Sequence, residues 1–346
     1  MSVLRSFARA LSEPVRRWRF FGLLLRGTGR DGAGSRNNDT VVFAVRMRKH
    51  RSKWVKKPDG LGIWCSTNTL DRSALAKLAT DVERHGYCSL WYPESLSYES
   101  LALGAFLLSE TTALQVASGI ANIYARDAIT AAQGHDSLNQ LYGGRFVLGL
   151  GVSHVPLVEG ARGHVYAKPV TTMRDYLNAM AAANLDPTIK MADRALVLAA
   201  LGPRMLELSR DATMGALPYC VTPEHTEEAR KILGPDSWLC VEQKICLTSD
   251  EGTARAVASQ QMARYMVLPN YRNNWLRLGF EADEFENGGA PRFLDAMVVW
   301  GKEQQIQECI DAHRRAGADQ VVLQAFRPDG GPGTDPVALA AFAPTA

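Results

Sequence analysis

The chain has 346 residues, of which 46% are hydrophobic and 22% are charged, and its formal net charge is +3. This composition is typical of a folded globular protein and excludes a chain that is disordered throughout. No stretch approaches the roughly 18 consecutive apolar residues that a membrane-spanning helix needs, so we expect no membrane span.

The first 58 residues differ in charge from the rest of the chain. They contain 15 lysines or arginines and three acids, whereas the remainder contains 24 basic and 33 acidic residues. Because this segment lacks helical or strand periodicity, we predict a basic, disordered extension over 1–58 and a folded domain over 59–346. Its twin arginine resembles an export signal only poorly, since the apolar run is short and no A-x-A site follows. A polyanion-binding arm is a second hypothesis for these arginines, although we expect no nucleic-acid partner.

From Leu61 onward, short apolar runs alternate with amphipathic helical segments. This alternation is typical of a parallel sheet whose strands are joined by crossover helices. We predict eight strands, at residues 61–64, 89–93, 114–120, 146–151, 195–202, 213–218, 238–248 and 319–326. Helices are predicted at 71–86, 100–110, 127–142, 168–183, 203–209 and 222–234, and another ends at Gly317.

A long segment at roughly 250–300 separates the seventh predicted strand from the eighth. It has a helical pattern and Asn-rich turns, and it is longer than most connections, so we expect it to cover or shape a site. Eight strands with intervening helices predict a (β/α)8 TIM barrel, an α/β fold whose active site lies at the carboxyl ends of the strands. The strand ends that we expect at this mouth are 64–66, 94–95, 118–122, 149–154, 201–204 and 242–244.

Two features at these strand ends favour a bound ligand. Gly149 and Gly151 would let a flat or phosphorylated ligand approach the backbone, although glycines also serve a tight barrel corner. The helix that begins at Pro203 directs free backbone N–H groups to the same rim, where an anion can bind.

Two titratable residues at the mouth are candidates for chemistry. Glu94 follows the second strand and could hydrogen-bond a heterocycle or a substrate proton, or it could cap the next helix or pair with an arginine. His154 directly follows the glycine turn, and its imidazole could exchange a proton near neutral pH or only line a loop. The six scattered cysteines form no C-x-x-C pair and no cluster with histidines, so we predict reduced thiols, no metal site and a cytoplasmic protein.

The order of several sequence blocks resembles the luciferase-like monooxygenase family, and more narrowly its branch of oxidoreductases that use the deazaflavin coenzyme F420. The blocks are "GYCSLWYPES", "VASGIANIYARDAITAAQGHDSLNQLYGGRFVLGLGVSHVPLVEG", "KPVTTMRDYLNAM", "LAALGPRMLELS" and "PNYRNNWLRLGF". They span about residues 61–326, and five blocks in the right order are more specific than one glycine motif. The resemblance implies a TIM barrel of the bacterial luciferase type, with the long insertion between strands seven and eight and the cofactor in the barrel mouth.

The resemblance also implies a set of cofactor-binding residues. A non-prolyl cis peptide bond, which often lies against the cofactor ring in this family, would fall within Ser118, Gly119 and Ile120. The other residues implied at the cofactor are Trp64, Gly149, Gly151, Val152, Ser153, Leu201, Gly202 and Pro203. Several members carry an Asp-His pair after the second strand, where this chain has Glu94 and Ser95, so a mechanism that needs that histidine does not carry over. We therefore expect His154 to move the proton and Glu94 to orient the ring or the substrate.

The leading hypothesis is an F420-dependent oxidoreductase that transfers a hydride between the deazaflavin and a small organic substrate. An FMN-dependent monooxygenase on the same fold and a non-catalytic barrel that binds flavin or deazaflavin are the alternatives. The resemblance further implies a homodimer. The sequence does not indicate the substrate or the direction of hydride transfer.

Overall fold

The computed structural model describes residues 55–191 and 193–344. Most of the predicted basic extension therefore lies outside the described residues, and so do the arginines of the hypothetical polyanion-binding arm. The last residues of that segment contact the barrel: Val55 is buried, and the Gln115 side chain donates a hydrogen bond of 2.9 Å to the carbonyl oxygen of Lys56. Lys57 forms an ion pair with Asp319 at 2.5 Å.

Eight parallel strands close into a barrel, as predicted. In the order of their pairing around the ring, they are β1 (Gly60–Trp64), β2 (Ser89–Tyr92), β3 (Gln115–Ser118), β5 (Phe146–Gly151), β6 (Leu196–Leu198), β7 (Gly215–Ala216), β8 (Trp238–Leu247) and β10 (Gln320–Phe326). Pairing of β10 with both β8 and β1 closes the ring. Two short strands lie beside it: β4 (Ala121–Asn122) pairs with β5, and β9 (Val298–Gly301) pairs with β8.

Helices connect the strands and pack outside the barrel. The first six are α1 (Arg72–Arg84), α2 (Ser100–Ser109), α3 (Ala128–Leu141), α4 (Pro169–Ala182), α5 (Pro203–Ala212) and α6 (Pro223–Leu233). Those that follow β8 are α7 (Glu251–Met266), α8 (Pro269–Arg277), α9 (Pro291–Met297), α10 (Glu303–Arg315) and α11 (Pro336–Ala341). Side-chain caps begin several of them, as at α3, where Asp127 accepts from the backbone of Ile129 and Thr130. No described helix is long and apolar enough to cross a membrane.

The structure corrects the bounds of several predicted strands. The third strand was expected to continue to residue 120, but β3 ends at Ser118, a cis peptide bond joins Gly119 to Ile120, and the chain continues as β4. The cis bond lies within the three residues that the resemblance implied. The seventh strand was predicted over 238–248 and is confirmed as β8, but residues 242–244, which were expected at its carboxyl end, lie inside the strand. The fifth and sixth strands were predicted over 195–202 and 213–218, but β6 ends at Leu198 and β7 contains only Gly215 and Ala216.

The insertion between β8 and β10 forms a second core beside the barrel mouth. It contains α7, α8, a 3-10 turn (Ala282–Phe285), α9 and β9. Trp275 is fully buried at its centre, and its ring centroid lies 4.7 Å from that of Phe293 and 5.2 Å from that of Phe285. The indole N–H of Trp275 donates to the carbonyl oxygen of Cys220 at 3.0 Å, so this core is attached to the loop after β7.

Candidate active site at the barrel mouth

Two adjoining cavities lie at the carboxyl ends of the strands, one of about 600 Å³ and the other of about 200 Å³. We call them the first and second cavity. Both are lined by Ile120, Ser153, His154, Ala199, Leu217, Tyr219 and Tyr271. A ligand in one cavity would therefore lie next to a ligand in the other.

The chain segment after β3 forms a bulge, residues 118–120, that lines both cavities at Ile120. The Trp64 indole donates to the carbonyl oxygen of Gly119 at 3.1 Å, and the Glu94 backbone donates to that of Ile120 at 3.2 Å. The Ser118 hydroxyl donates to the carbonyl oxygen of Gly149 at 2.9 Å. The bulge is therefore held from three neighbouring strand ends.

The two glycines of β5 make room for this bulge. A Cβ atom at Gly149 would lie 2.0 Å from the carbonyl oxygen of Ser118, and one at Gly151 would lie 2.4 Å from the Ile120 side chain. Ser118 and Gly149 are absent from the described linings of both cavities, whereas Gly151 lines the first. The sequence allowed two roles for these glycines, approach of a ligand to the backbone or a tight barrel corner. The structure shows close contacts with the bulge, as a tight corner requires.

The first cavity has an apolar wall and a rim rich in hydrogen-bond donors. The amino end of α5, at Gly202, Pro203 and Arg204, lies on this rim, and Pro203 occupies the first helical position. Asn274, on α8, also lines this cavity and is 1% exposed, yet its amide nitrogen has no partner among the described residues. A helix start and a buried, unpaired N–H group together suit an anionic group such as a phosphate.

Arg277 connects α8 to the loop before α5. Its guanidinium donates to the carbonyl oxygen of Leu201 at 3.1 Å and to the side-chain oxygen of Asn274. These two contacts orient the Asn274 amide, because its oxygen is occupied while its nitrogen stays available. The insertion thus lines the first cavity together with the loop after β6 and the amino end of α5.

Five aromatic side chains line the second cavity: Trp64, Tyr219, Tyr265, Tyr271 and Phe326. The Tyr219 ring lies 5.3 Å from that of Trp64. Its hydroxyl is 2.9 Å from the Tyr265 hydroxyl and donates to the Gln324 side chain at 2.9 Å. These hydrogen bonds fix the wall that the two cavities share.

Lys244 lines the second cavity as a buried ammonium group. Its Nζ donates to both carboxylate oxygens of Glu242, at 3.0 and 2.9 Å, and to the thiol sulfur of Cys220 at 3.0 Å. The same nitrogen lies 3.6 Å from the centre of the Tyr219 ring. Burial opposes its charge, but Cys220 and Glu242 outweigh that effect and raise the pKa of Lys244. Burial raises the pKa of Cys220 to about 12, so the sulfur stays a thiol.

Glu94 lies at the edge of the second cavity, and both of its carboxylate oxygens are occupied by the protein. They accept from the backbone N–H of Ser100 at 3.1 Å and of Asn122 at 2.7 Å, and one of them pairs with Arg126. The side chains of Glu94 and Arg126 are 2% and 5% exposed. Glu94 therefore makes both of the structural contacts that the sequence allowed, one with the start of the next helix and one with an arginine.

His154 lies in both cavity walls and contacts the insertion. The preceding Ser153 has a φ of +56°, and two backbone N–H groups of the following turn donate to the carbonyl oxygen of His154. Its ring lies 5.7 Å from that of Tyr271. Burial lowers the pKa of His154, and a hydrogen bond with the Asn270 side chain opposes this effect. The neutral imidazole is therefore favoured at pH 7, in a form that can accept a proton.

The structure brings most of the predicted site residues together. The first cavity is lined by Ile120, Gly151, Val152, Ser153, His154, Leu201, Gly202 and Pro203, and the second by Trp64, Glu94, Gly119, Ile120, Ser153 and His154. Lys244, which was expected at the mouth, lines the second cavity. The lining residues of the insertion were not predicted individually, among them Asn270, Tyr271, Asn274 and Arg264. The Asn-rich "LPNYRNNW" stretch was the available signal, but its face toward the barrel could not be derived from periodicity.

Known proteins resemble this chain over most of its length. The model of the luciferase-like monooxygenase family matches residues 58–320. The 5,10-methylenetetrahydromethanopterin reductase of Methanolobus tindarius is 25% identical over 221 residues, which cover 56% of this chain and 66% of that protein, just under two thirds. A Mycobacterium tuberculosis protein whose name describes a coenzyme F420-dependent oxidoreductase is 23% identical over 280 residues, which cover 69% of this chain and 79% of that protein.

A solved structure supports the same fold. The F420-dependent tetrahydromethanopterin reductase of Methanopyrus kandleri superposes with a TM-score of 0.61 at 15% identity, covering 84% of this chain and 98% of that one. Because the identity is low, this likeness shows the barrel and not the reaction. The family match, together with the closed barrel and the bulge at Gly119–Ile120, shows that this chain belongs to the luciferase-like monooxygenase family.

Proposed function

We propose that the chain is an F420-dependent oxidoreductase. In this proposal the deazaflavin occupies the first cavity, a small organic substrate occupies the second, and a hydride is exchanged where the cavities meet. The observation that carries the proposal is the pair of adjoining cavities with Ile120, His154 and Tyr219 in their common wall. The names of the M. tuberculosis relative and of the M. kandleri structure support F420 as the cofactor.

The residues of the first cavity fit such a cofactor. The amino end of α5 and the unpaired amide nitrogen of Asn274 would hold its phosphate-bearing chain, and Arg204 and Arg277 would attract its negative charge. The apolar wall at Ile120 and Val152 would support a flat ring. When bound, the deazaflavin supplies a carbon centre that accepts or donates a hydride.

The protein's part in the reaction is orientation and proton transfer. In the direction of substrate oxidation, loss of a hydride from carbon is accompanied by loss of a proton from the attached oxygen or nitrogen. Neutral His154, exposed to both cavities, takes that proton, and in the reverse direction the imidazolium returns it. We assign Glu94 a positioning role, because its carboxylate holds the bulge through Asn122 and is already saturated with donors.

An FMN-dependent monooxygenase is the second candidate, and the description of the matching family favours it. FMN also carries a phosphate that suits the amino end of α5. Separate titrations of the purified protein with F420 and with FMN, followed by the absorbance of each cofactor, distinguish the two. We expect saturable binding of F420. Tight binding of FMN without binding of F420 would overturn the proposal.

A non-catalytic barrel is the third candidate. It predicts F420 binding without any F420 oxidation or reduction across a broad panel of alcohols, aldehydes and acids. Turnover of one of these compounds, lost on denaturation of the protein, would exclude it. We retain the homodimer and the cytoplasmic location as parts of the proposal, and sedimentation of the purified protein tests the former.

A further inference from the structure

We propose that the second cavity takes a small organic anion, and that Arg264 binds its carboxylate. This inference rests on the proposed function, because it names the substrate class of the same site. It is carried by the charges and free hydrogen-bond donors around the second cavity.

Arg264 and Gln261 lie three residues apart on α7, so they share one helix face, and both line the second cavity. Arg264 has neither a hydrogen bond nor an ion pair with any described residue, and its contact there is with the Tyr265 ring, whose centre lies 5.7 Å away. The Gln261 side chain also lacks a hydrogen bond within the described chain. The N–H donors of this guanidinium and of the Gln261 amide have no acceptor among the described residues, and together they can bind the two oxygens of a carboxylate.

The other charges of the second cavity are neutralised within the protein. Lys244 is paired with Glu242, and its three donors are occupied by that carboxylate and by Cys220. Glu94 is paired with Arg126. Among the described lining residues, Arg264 is thus the charged group without a bonded partner of opposite charge.

The aromatic walls do not favour a cationic substrate. Aromatic cages can bind ammonium groups, but here the Lys244 ammonium already lies over the faces of Tyr219 and Tyr265, at 3.6 and 5.4 Å from their centres. A second cation would be repelled by it and by Arg264. The cavity volume of about 200 Å³ restricts the ligand to a small molecule, with its apolar part against Trp64 and Phe326.

Calorimetric titration with matched pairs of small ligands tests this inference. Acetate, butanoate and benzoate are each compared with the corresponding amide, which has nearly the same shape and no charge. The titrations are made on the purified protein, with and without F420, so that loss of cofactor binding and loss of carboxylate preference are separate results. We expect at least one acid to bind about tenfold more tightly than its amide, as a charged hydrogen-bonded contact would give.

The variants R264Q and R204Q separate this site from the general charge of the mouth. Both arginines are exposed and have no side-chain hydrogen bond among the described residues, so both variants should fold. In the titrations without F420, we expect R264Q to reduce the preference to about twofold or less, whereas R204Q, which changes the rim of the first cavity, leaves it unchanged. The inference is overturned if no acid binds more tightly than its amide, or if R204Q removes the preference as fully as R264Q.

Discussion

At the scale of single residues, His154 is the group whose protonation state should control turnover. Because burial lowers its pKa below the ordinary value of about 6.5, the imidazole is neutral at pH 7 and becomes charged only in more acidic solution. A rate that needs the neutral base must therefore fall as the pH drops through this pKa.

We expect H154Q to lower kcat for substrate oxidation by about 100-fold, as the loss of a general base does, and to leave F420 affinity within about threefold. Measurement of kcat against pH provides the sharper check. The wild type should lose activity at acidic pH, and H154Q should not show this acidic fall in rate, the acidic limb of the profile.

In N270A, the hydrogen bond that raises the pKa of His154 is missing, so the acidic limb should move to lower pH. An unchanged limb in both variants would contradict the role of His154.

Glu94 provides a second test at the residue scale, because its buried pairing with Arg126 can be compared with an exposed one. Arg126 also pairs with Glu99 at 2.6 Å, and the Glu99 side chain is 51% exposed. We expect E94Q to lower the free energy of unfolding by about 3 kcal/mol, since it leaves a buried guanidinium poorly compensated. E99Q should cost less than about 1 kcal/mol because solvent screens the exposed pair. Urea unfolding measures both values.

The same two variants separate a positioning role of Glu94 from a catalytic one. The Glu94 carboxylate accepts from the backbone N–H of Asn122, two residues beyond the bulge, so E94Q should loosen the bulge and weaken F420 binding. E99Q should bind F420 as the wild type does. If E94Q bound F420 normally and lost only turnover, the carboxylate would act on the substrate instead.

At the scale of elements, α8 is the part of the insertion that completes the first cavity. We expect N274A to weaken F420 binding about tenfold, because the amide nitrogen that is buried without a partner would lose its proposed contact with the cofactor's phosphate-bearing chain. N273A is the matched control: Asn273 lines the same cavity on the same helix but is exposed. Absorbance titration with F420 measures both variants, and equal affinities would show that Asn274 does not contact the cofactor.

The elements differ in how far the sequence predicts them. The eight strands are predictable because apolar runs and capped helices are local patterns, and the barrel then places residues 149–154 at the mouth. The bulge at residues 118–120 was expected from the family resemblance and not from periodicity. The side of α8 that faces His154 is set by the packing of Trp275 in the insertion core, a contact between distant parts of the chain that no local pattern encodes.

At the scale of the whole molecule, buried neutral histidines make the fold sensitive to acid. Burial lowers the pKa of His135, His225 and His313, and that of His313 falls to about 4. The His313 ring connects three elements, since it bonds Thr226 on α6 and Gln243 on β8, both at 2.8 Å, from its place on α10. The unfolded chain binds these protons near pH 6.5 whereas the folded chain does not, so stability must decline as the pH falls below that value.

We expect His313 alone to reduce the free energy of unfolding by about 1 kcal/mol between about pH 7.5 and pH 5.5. Urea unfolding of H313Q at both pH values isolates this contribution, because other titrating groups contribute equally to variant and wild type. Among them, Glu242 has the opposite sign, since burial raises its pKa. H313Q should be less stable than the wild type at pH 7.5 and should lose about 1 kcal/mol less on acidification. Equal losses in the two proteins would mean that His313 accepts its proton in the folded chain as readily as in the unfolded one.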